Sequence, residues 1–200
     1  MVHISTDYVF DGEGELPWCE TDIPVPLNSY GRSKLAGEQA IVAHCERYLI
    51  LRTSWLHSPW RHNFIKIMLR LGAEREQLAV ICDQIGAPTS AQMLAEMTLS
   101  AISQTLAKPE LAGLYHVAAS GETSWYNYAG FIFHEARQLG FELKIQSLRP
   151  VLSKDYPTSA RRPLNSRLDT TQFRTTFGVE LPHWQIGVRE TLGLLAKERY

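Results

Sequence analysis

The first apolar run, Val2-His3-Ile4-Ser5, has a polar end at Thr6 and predicts a short buried strand over 2–5. A second run, Tyr48-Leu49-Ile50-Leu51-Arg52-Thr53, is continuously apolar with polar ends, the pattern of a strand covered on both faces. Between them, Asp11-Gly12-Glu13-Gly14-Glu15 and then Pro17, Pro24 and Pro26 exclude regular helix. Asn28 or Ser29 can cap the helix that follows, which is predicted to about Glu46 with Leu35, Ile41, Val42 and Cys45 facing the core. Strand, helix and strand make one βαβ unit. Beyond a loop from His57 to His62, Phe64, Ile67, Met68 and Leu71 share a stripe and predict a helix from about Asn63 to Ala73. A strand is predicted over 78–82 and a loop over 83–89. Ser90 then caps a helix to about Ala107. Further predictions are strands at 114–117 and 143–148, a helix from Ser124 to about Leu139, and helices near 170–177 and 183–198. Strands alternate with helices, so the fold class is α/β, with the second half forming a smaller lobe over the sheet edge.

Composition narrows the function. Net charge is −1 over 200 residues, which gives no electrostatic footprint for nucleic acid or an anionic membrane. Cys19, Cys45 and Cys82 are odd in number and widely spaced, which argues against a disulfide framework and for a reducing compartment. No apolar run approaches a membrane span, and the seven histidines show no metal-ligand spacing. Opening at once on a core strand suggests the C-terminal part of something longer.

The chemistry gathers in two places. Both predicted strands end in polar residues, Thr6 and Thr53-Ser54-Trp55, at the edge where open α/β sheets bind ligands. Tyr30 and Lys34 lie four residues apart, hence on one helix face. An ammonium beside a phenol favours the phenolate, so such a tyrosine works as acid or base nearer neutral pH. Alone the pair says little. Eight tyrosines and six lysines in 200 residues yield ~0.24 such matches by chance, so context has to decide.

Context is supplied by a run of motifs in order. Ser5 to Gly12, Tyr30-Gly31-Arg32-Ser33-Lys34, Gly37-Glu38, Leu51-Arg52-Thr53-Ser54-Trp55, Asn63-Phe64, Asp83 to Thr89, Gly113-Leu114-Tyr115-His116 and Arg162-Pro163-Leu164-Asn165-Ser166 resemble the dTDP-4-dehydrorhamnose reductase family of the extended short-chain dehydrogenase/reductases. The resemblance covers essentially the whole chain. It implies NADPH- or NADH-dependent reduction of a dTDP-4-keto-6-deoxy sugar to dTDP-L-rhamnose in the cytoplasm, with a homodimer as the assembly and neither nucleic acid nor membrane as partner. It implies Tyr30 as the proton donor. Lys34 would hold the nicotinamide ribose and lower the Tyr30 pKa, and Thr6 would hydrogen-bond the keto oxygen. Asp7 and Trp55 would contact the substrate. Asn63 is read either as a nucleotide-sugar contact or as a helix cap, and Arg161 and Arg162 either as diphosphate ligands or as surface charges. The aromatic stripe Trp125, Tyr128, Phe131 is read as core.

On this reading residues 1–60 and about 85–118 belong to a Rossmann-type dinucleotide domain, and about 61–84 and 119–200 to a substrate-binding lobe. No G-x-G-x-x-G or G-x-x-G-x-x-G turn follows a strand in the sequence. The family's first βαβ units are therefore expected to be missing. An open apolar sheet edge and no activity of the isolated chain are expected too. Two other functions fit similar motifs: a non-catalytic regulatory subunit like that of methionine adenosyltransferase, and a reductase of a different 4-keto sugar.

Overall fold

The computed structural model describes residues 1–156 and 160–198. In chain order the elements are β1 (Val2–Thr6), α1 (Ser29–His44), β2 (Leu49–Thr53), β3 (Leu56–His57), α2 (Phe64–Glu74), β4 (Gln77–Ile81), β5 (Ile85–Gly86), β6 (Thr89–Ser90), α3 (Ala91–Ala107), β7 (Gly113–His116), β8 (Thr123–Ser124), α4 (Trp125–Gln138), β9 (Ser147–Val151), α5 (Thr171–Phe177) and α6 (Trp184–Lys197). Single 3₁₀ turns occupy Asp7–Val9, Pro109–Leu111 and Ser153–Asp155.

A three-stranded parallel sheet in the order β1-β2-β7 organises the N-terminal part. β1 and β2 run in register from Val2↔Leu49 to Thr6↔Thr53, so both polar strand ends reach the same edge. β2 is buried along its whole length, as its unbroken apolar run requires. A parallel β4–β9 ladder lies apart from this sheet, and the short pairs β3–β6 and β5–β8 stitch the loops around the strand ends. The core joins Leu49 and Leu51 of β2 to Ile65 and Met68 of α2, Ile132 and Phe133 of α4, and Val188 and Leu192 of α6.

Two local expectations are corrected. α1 does not bury an aliphatic stripe: Val42 is 53% exposed, and the buried positions of the helix are Gly31 and Glu38. Helical spacing located the helix, but a buried ion pair rather than aliphatic packing seats it. In α2 the expected stripe is present: Phe64, Ile67, Met68 and Leu71 all border one open cleft, and the helix also buries Ile65, Met68 and Gly72. The strand expected at 143–148 forms at Ser147–Val151 instead. The backbone N–H groups of Lys144 and Ile145 are drawn to the Gly72 carbonyl, and those of Gln146 and Ser147 to Glu76. That stretch closes off the end of α2 before it can enter a ladder.

Among the described residues β1 pairs with β2 alone and is otherwise an edge strand. Val2 is 40% exposed, and on the free side Lys34 donates a hydrogen bond to the Ile4 carbonyl. No helix among the described residues is long and apolar enough to cross a membrane.

Candidate active site

The ends of β1 and β2, the first turn of α1, and α2 with β4 surround a cleft of about 850 Å³. Thr6, Asp7, Tyr30, Trp55 and Asn63 all line it, together with Tyr8, Thr53, Trp125 and Arg162. Five of the residues singled out from the sequence, spread over nearly sixty positions, thus share one space. Lys34 does not stand in that wall; its ammonium is engaged at Ile4.

The strand end is shaped by Thr6. Its hydroxyl accepts from the Tyr8 N–H at 3.2 Å and so caps the 3₁₀ turn, while donating to Asp7 Oδ1 at 3.1 Å. Asp7 is 2% exposed. Burial pushes its carboxyl up to about 6, against the opposing pull of the Ser166 and Thr6 hydroxyls and neighbouring backbone N–H groups. Its Oδ2 and the Thr53 hydroxyl are both buried without a hydrogen-bond partner. Tyr8 is pushed up to about 12, by burial first and by Asp7 second, so it stays a neutral phenol.

α1 approaches this strand end very closely. Asn28 caps it by accepting from the Gly31 N–H at 2.9 Å. A Cβ on Gly31 would lie 2.1 Å from the Tyr8 carbonyl oxygen, so only glycine lets the helix come this near. Tyr30 beside it stays 55% exposed, with its ring edge-on to Tyr8 at 5.8 Å. One turn apart on the same helix face, Lys34 and Glu38 reach Ile4 and Ser5 of β1, while Tyr30, a turn earlier, meets Tyr8. Glu38 receives the Ser5 hydroxyl and a two-pronged pair from Arg52, at 3.0 and 2.7 Å, with both charged side chains 3% exposed. The guanidinium lies 5.1 Å from the Phe10 ring centroid, and Phe10 stacks on Trp18. This lock holds the helix bearing Tyr30 against the strand bearing Thr6.

The remaining candidates divide. Trp55 has φ 46°, a left-handed backbone that a bulky residue rarely adopts, and its ring stacks on Trp125 at 3.6 Å. Asn63 fills the cap of α2: its carbonyl accepts from the Lys66 N–H and its amide donates to the Ser58 carbonyl at 2.6 Å. It lines the cleft while serving the cap. Arg162 lines the cleft and Arg161 does not. The aromatic stripe is split, since Tyr128 is buried whereas Trp125 faces the cleft. Tyr8, Gln84 and Ser166 each fall inside a quoted motif, and residues 84–89 were read as a substrate-lobe loop or as turn residues, but none of the three was given a specific partner; Gln84 and Ser166 meet theirs, Trp125 and Asp7, across long stretches of chain.

The model of the RmlD substrate binding domain matches residues 1–196. The chain belongs to this family. It is 53% identical over 195 residues to the dTDP-4-dehydrorhamnose reductase of Escherichia coli K12, a match covering 98% of this chain and 65% of that protein. A Bacillus subtilis relative named spore coat polysaccharide biosynthesis protein SpsK is 38% identical, across 96% of this chain and 63% of that one. Among solved structures, the reductase of Clostridium acetobutylicum superposes with a TM-score of 0.88 at 35% identity, over 97% of this chain and 65% of that one. The Bacillus anthracis reductase, solved in complex with NADP, gives 0.84 at 37%, over 95% and 64%. The chain thus spans about 65% of the length of the curated relatives it matches. The fold is the Rossmann-type α/β fold of these neighbours. The relatives lend no support to the regulatory-subunit reading.

Proposed function

We propose that this chain supplies the sugar-binding and proton-donating part of an NAD(P)H-dependent reductase. The enzyme would convert the 4-keto group of dTDP-4-dehydro-6-deoxy-L-mannose to the alcohol of dTDP-L-rhamnose. The observation that carries the reading is the convergence of Thr6, Asp7, Tyr30 and Trp55 on one cleft in a chain of this family. The keto oxygen would be held by the Thr6 hydroxyl, which would turn from Asp7 Oδ1 to the ligand. As negative charge grows on that oxygen, the donated hydrogen bond strengthens and lowers the barrier. Tyr30, exposed in the cleft, would hand its phenolic proton to the same oxygen. The chemistry that NAD(P)H would supply when bound is a hydride for C4, and the Tyr30 proton would complete the two-electron reduction.

The residues present fit one end of that cofactor. Tyr30 stands open in the cleft, and Lys34, at the free edge of β1, would turn from the Ile4 carbonyl to the ribose hydroxyls. The glycine-rich turn that cradles a dinucleotide pyrophosphate does not occur in the sequence. In this reading Trp55 offers a ring to the sugar's C–H face, and Arg162 faces the diphosphate. Asn63 acts from the cap of α2. Residues 1–60 and about 85–118 form the dinucleotide side, and about 61–84 and 119–200 the substrate lobe. The cytoplasm is the expected compartment and a homodimer the expected assembly.

The direct test is a calorimetric titration of the chain with dTDP-L-rhamnose. Saturable one-site binding, lost on Trp55→Ala with Thr6→Val, supports the reading. Absence of saturable binding by the wild type overturns it.

A further inference from the structure

Trp125 and Trp55 stack in a way that their own electrostatics do not favour. The ring centroids are 3.6 Å apart and the planes within 13°. Aromatic quadrupoles prefer offset or edge-on pairs, with centroids roughly 4.5–7 Å apart. The surroundings therefore impose the stack. Trp125 is fixed from behind. Its indole N–H donates to Gln84 Oε1 at 3.1 Å, and the Gln84 amide donates to Ser153 Oγ at 2.9 Å. Ser153 is gripped in turn by the Asp83 carboxylate through its N–H at 2.9 Å and its hydroxyl at 2.7 Å. Gln84 is 5% exposed, so this chain of bonds is shielded from competing water. Phe64 closes on the Trp125 ring at 4.5 Å.

Trp55 is constrained independently. Its left-handed backbone directs the ring, and the bare Cα of Gly86 makes room for it, since a Cβ there would come within 2.7 Å of the indole. Two uncommon features, a strained backbone and an eclipsed stack, thus coincide on one residue in the cleft wall. Such strain persists where surrounding structure over-determines it, commonly at ligand sites.

We propose that Trp125 is a positioning residue for sugar recognition: anchored by Gln84, it sets the pose in which Trp55 meets the sugar of the nucleotide-sugar ligand. The inference rests on the nucleotide-sugar reading and adds to it a pair of residues, Trp125 and Gln84, that act through Trp55. The nucleotide half of the ligand does not depend on them.

The test compares dTDP-L-rhamnose with dTDP in calorimetric titrations of the chain. Trp125→Phe loses the N–H anchor, and Gln84→Leu loses the acceptor at nearly constant volume. Each is expected to weaken dTDP-L-rhamnose binding about three- to tenfold, the scale of one aromatic contact, and to leave dTDP binding unchanged. The exciton-coupled circular dichroism of the stacked indoles should be present in the wild type, absent in Trp125→Phe and altered in Gln84→Leu. Equal losses for both ligands, or none for either, would overturn the proposal while leaving the nucleotide-sugar reading in place. A wild type that binds neither ligand would instead remove that reading and the proposal with it.

Discussion

Asp7 shows how much chemistry a single buried carboxyl stores. Its folded pKa of about 6 stands above the ordinary 3.8, so the fold favours the protonated acid. Stability from this group is therefore complete below about pH 4 and lost as pH rises through 6. Two units correspond to about 3 kcal/mol. Asp7→Asn, which keeps an acceptor for the Thr6 hydroxyl, should raise the melting temperature near neutral pH, with the gain vanishing toward pH 4. A thermal-unfolding series across that range checks it; a gain independent of pH would contradict the burial argument. At this scale the sequence exposed residues whose neighbours sit nearby in the chain, such as Thr6 with Asp7 and Tyr30 with Lys34. Ser166 beside Asp7 and Gln84 beneath Trp125 stayed hidden, because no local pattern encodes partners 159 and 41 residues away. The double use of Asn63, cap and cleft wall, was legible only as two alternatives.

Among the elements, α1 matters most, and a close approach plus an ion pair place it. Gly31 removes the side chain that would strike the Tyr8 carbonyl, and Glu38 meets Arg52 and Ser5 two turns later. Gly31→Ala gains helix propensity yet must push the helix from the strand end. A net loss of about 1–3 kcal/mol is expected, the usual cost of overpacking. Urea unfolding measures it, and an unchanged or higher midpoint would show that the helix has room to move. The ends of α1 and α3 were readable because Asn28 and Ser90 are strong caps with partners three residues on. The inward face of α1 was not, because aliphatic periodicity pointed to Leu35, Ile41, Val42 and Cys45 while the buried residues are Gly31 and Glu38. β9 was misplaced for a similar reason. The apolar positions in 143–148 resemble a strand, but the backbone N–H groups of residues 144–147 turn to the Gly72 and Glu76 carbonyls at the end of α2.

Over the whole molecule, two buried histidines set the response to acid. His57, with the Thr191 hydroxyl on Nδ1, is pushed down to about 4 by burial, and His116 to about 3 by burial and the nearby Arg52. Both folded values lie below the ordinary 6.5, so their contribution is whole above that pH and is lost as pH falls through 4. The loss from His57 alone is on the order of 3 kcal/mol. The two histidines outweigh the opposite trend of Asp7, so the urea midpoint should fall steadily from about pH 6.5 to 4, and His57→Gln should flatten the curve. A midpoint flat over that interval would contradict their burial as neutral groups. The α/β class and element order were legible because periodicity is local. The separation of the β1-β2-β7 sheet from the β4–β9 ladder was not, since strand partnership is a long-range property. The central claim is that Tyr30 gives the proton in this cleft. Its most direct test is Tyr30→Phe in these 200 residues joined to the part of the Escherichia coli relative that they do not cover. Substrate-dependent NADPH oxidation and dTDP-L-rhamnose binding would be measured side by side. The account predicts a rate lower by about 10²–10⁴, the usual worth of a positioned general acid, with binding nearly unchanged. An undiminished rate would contradict it.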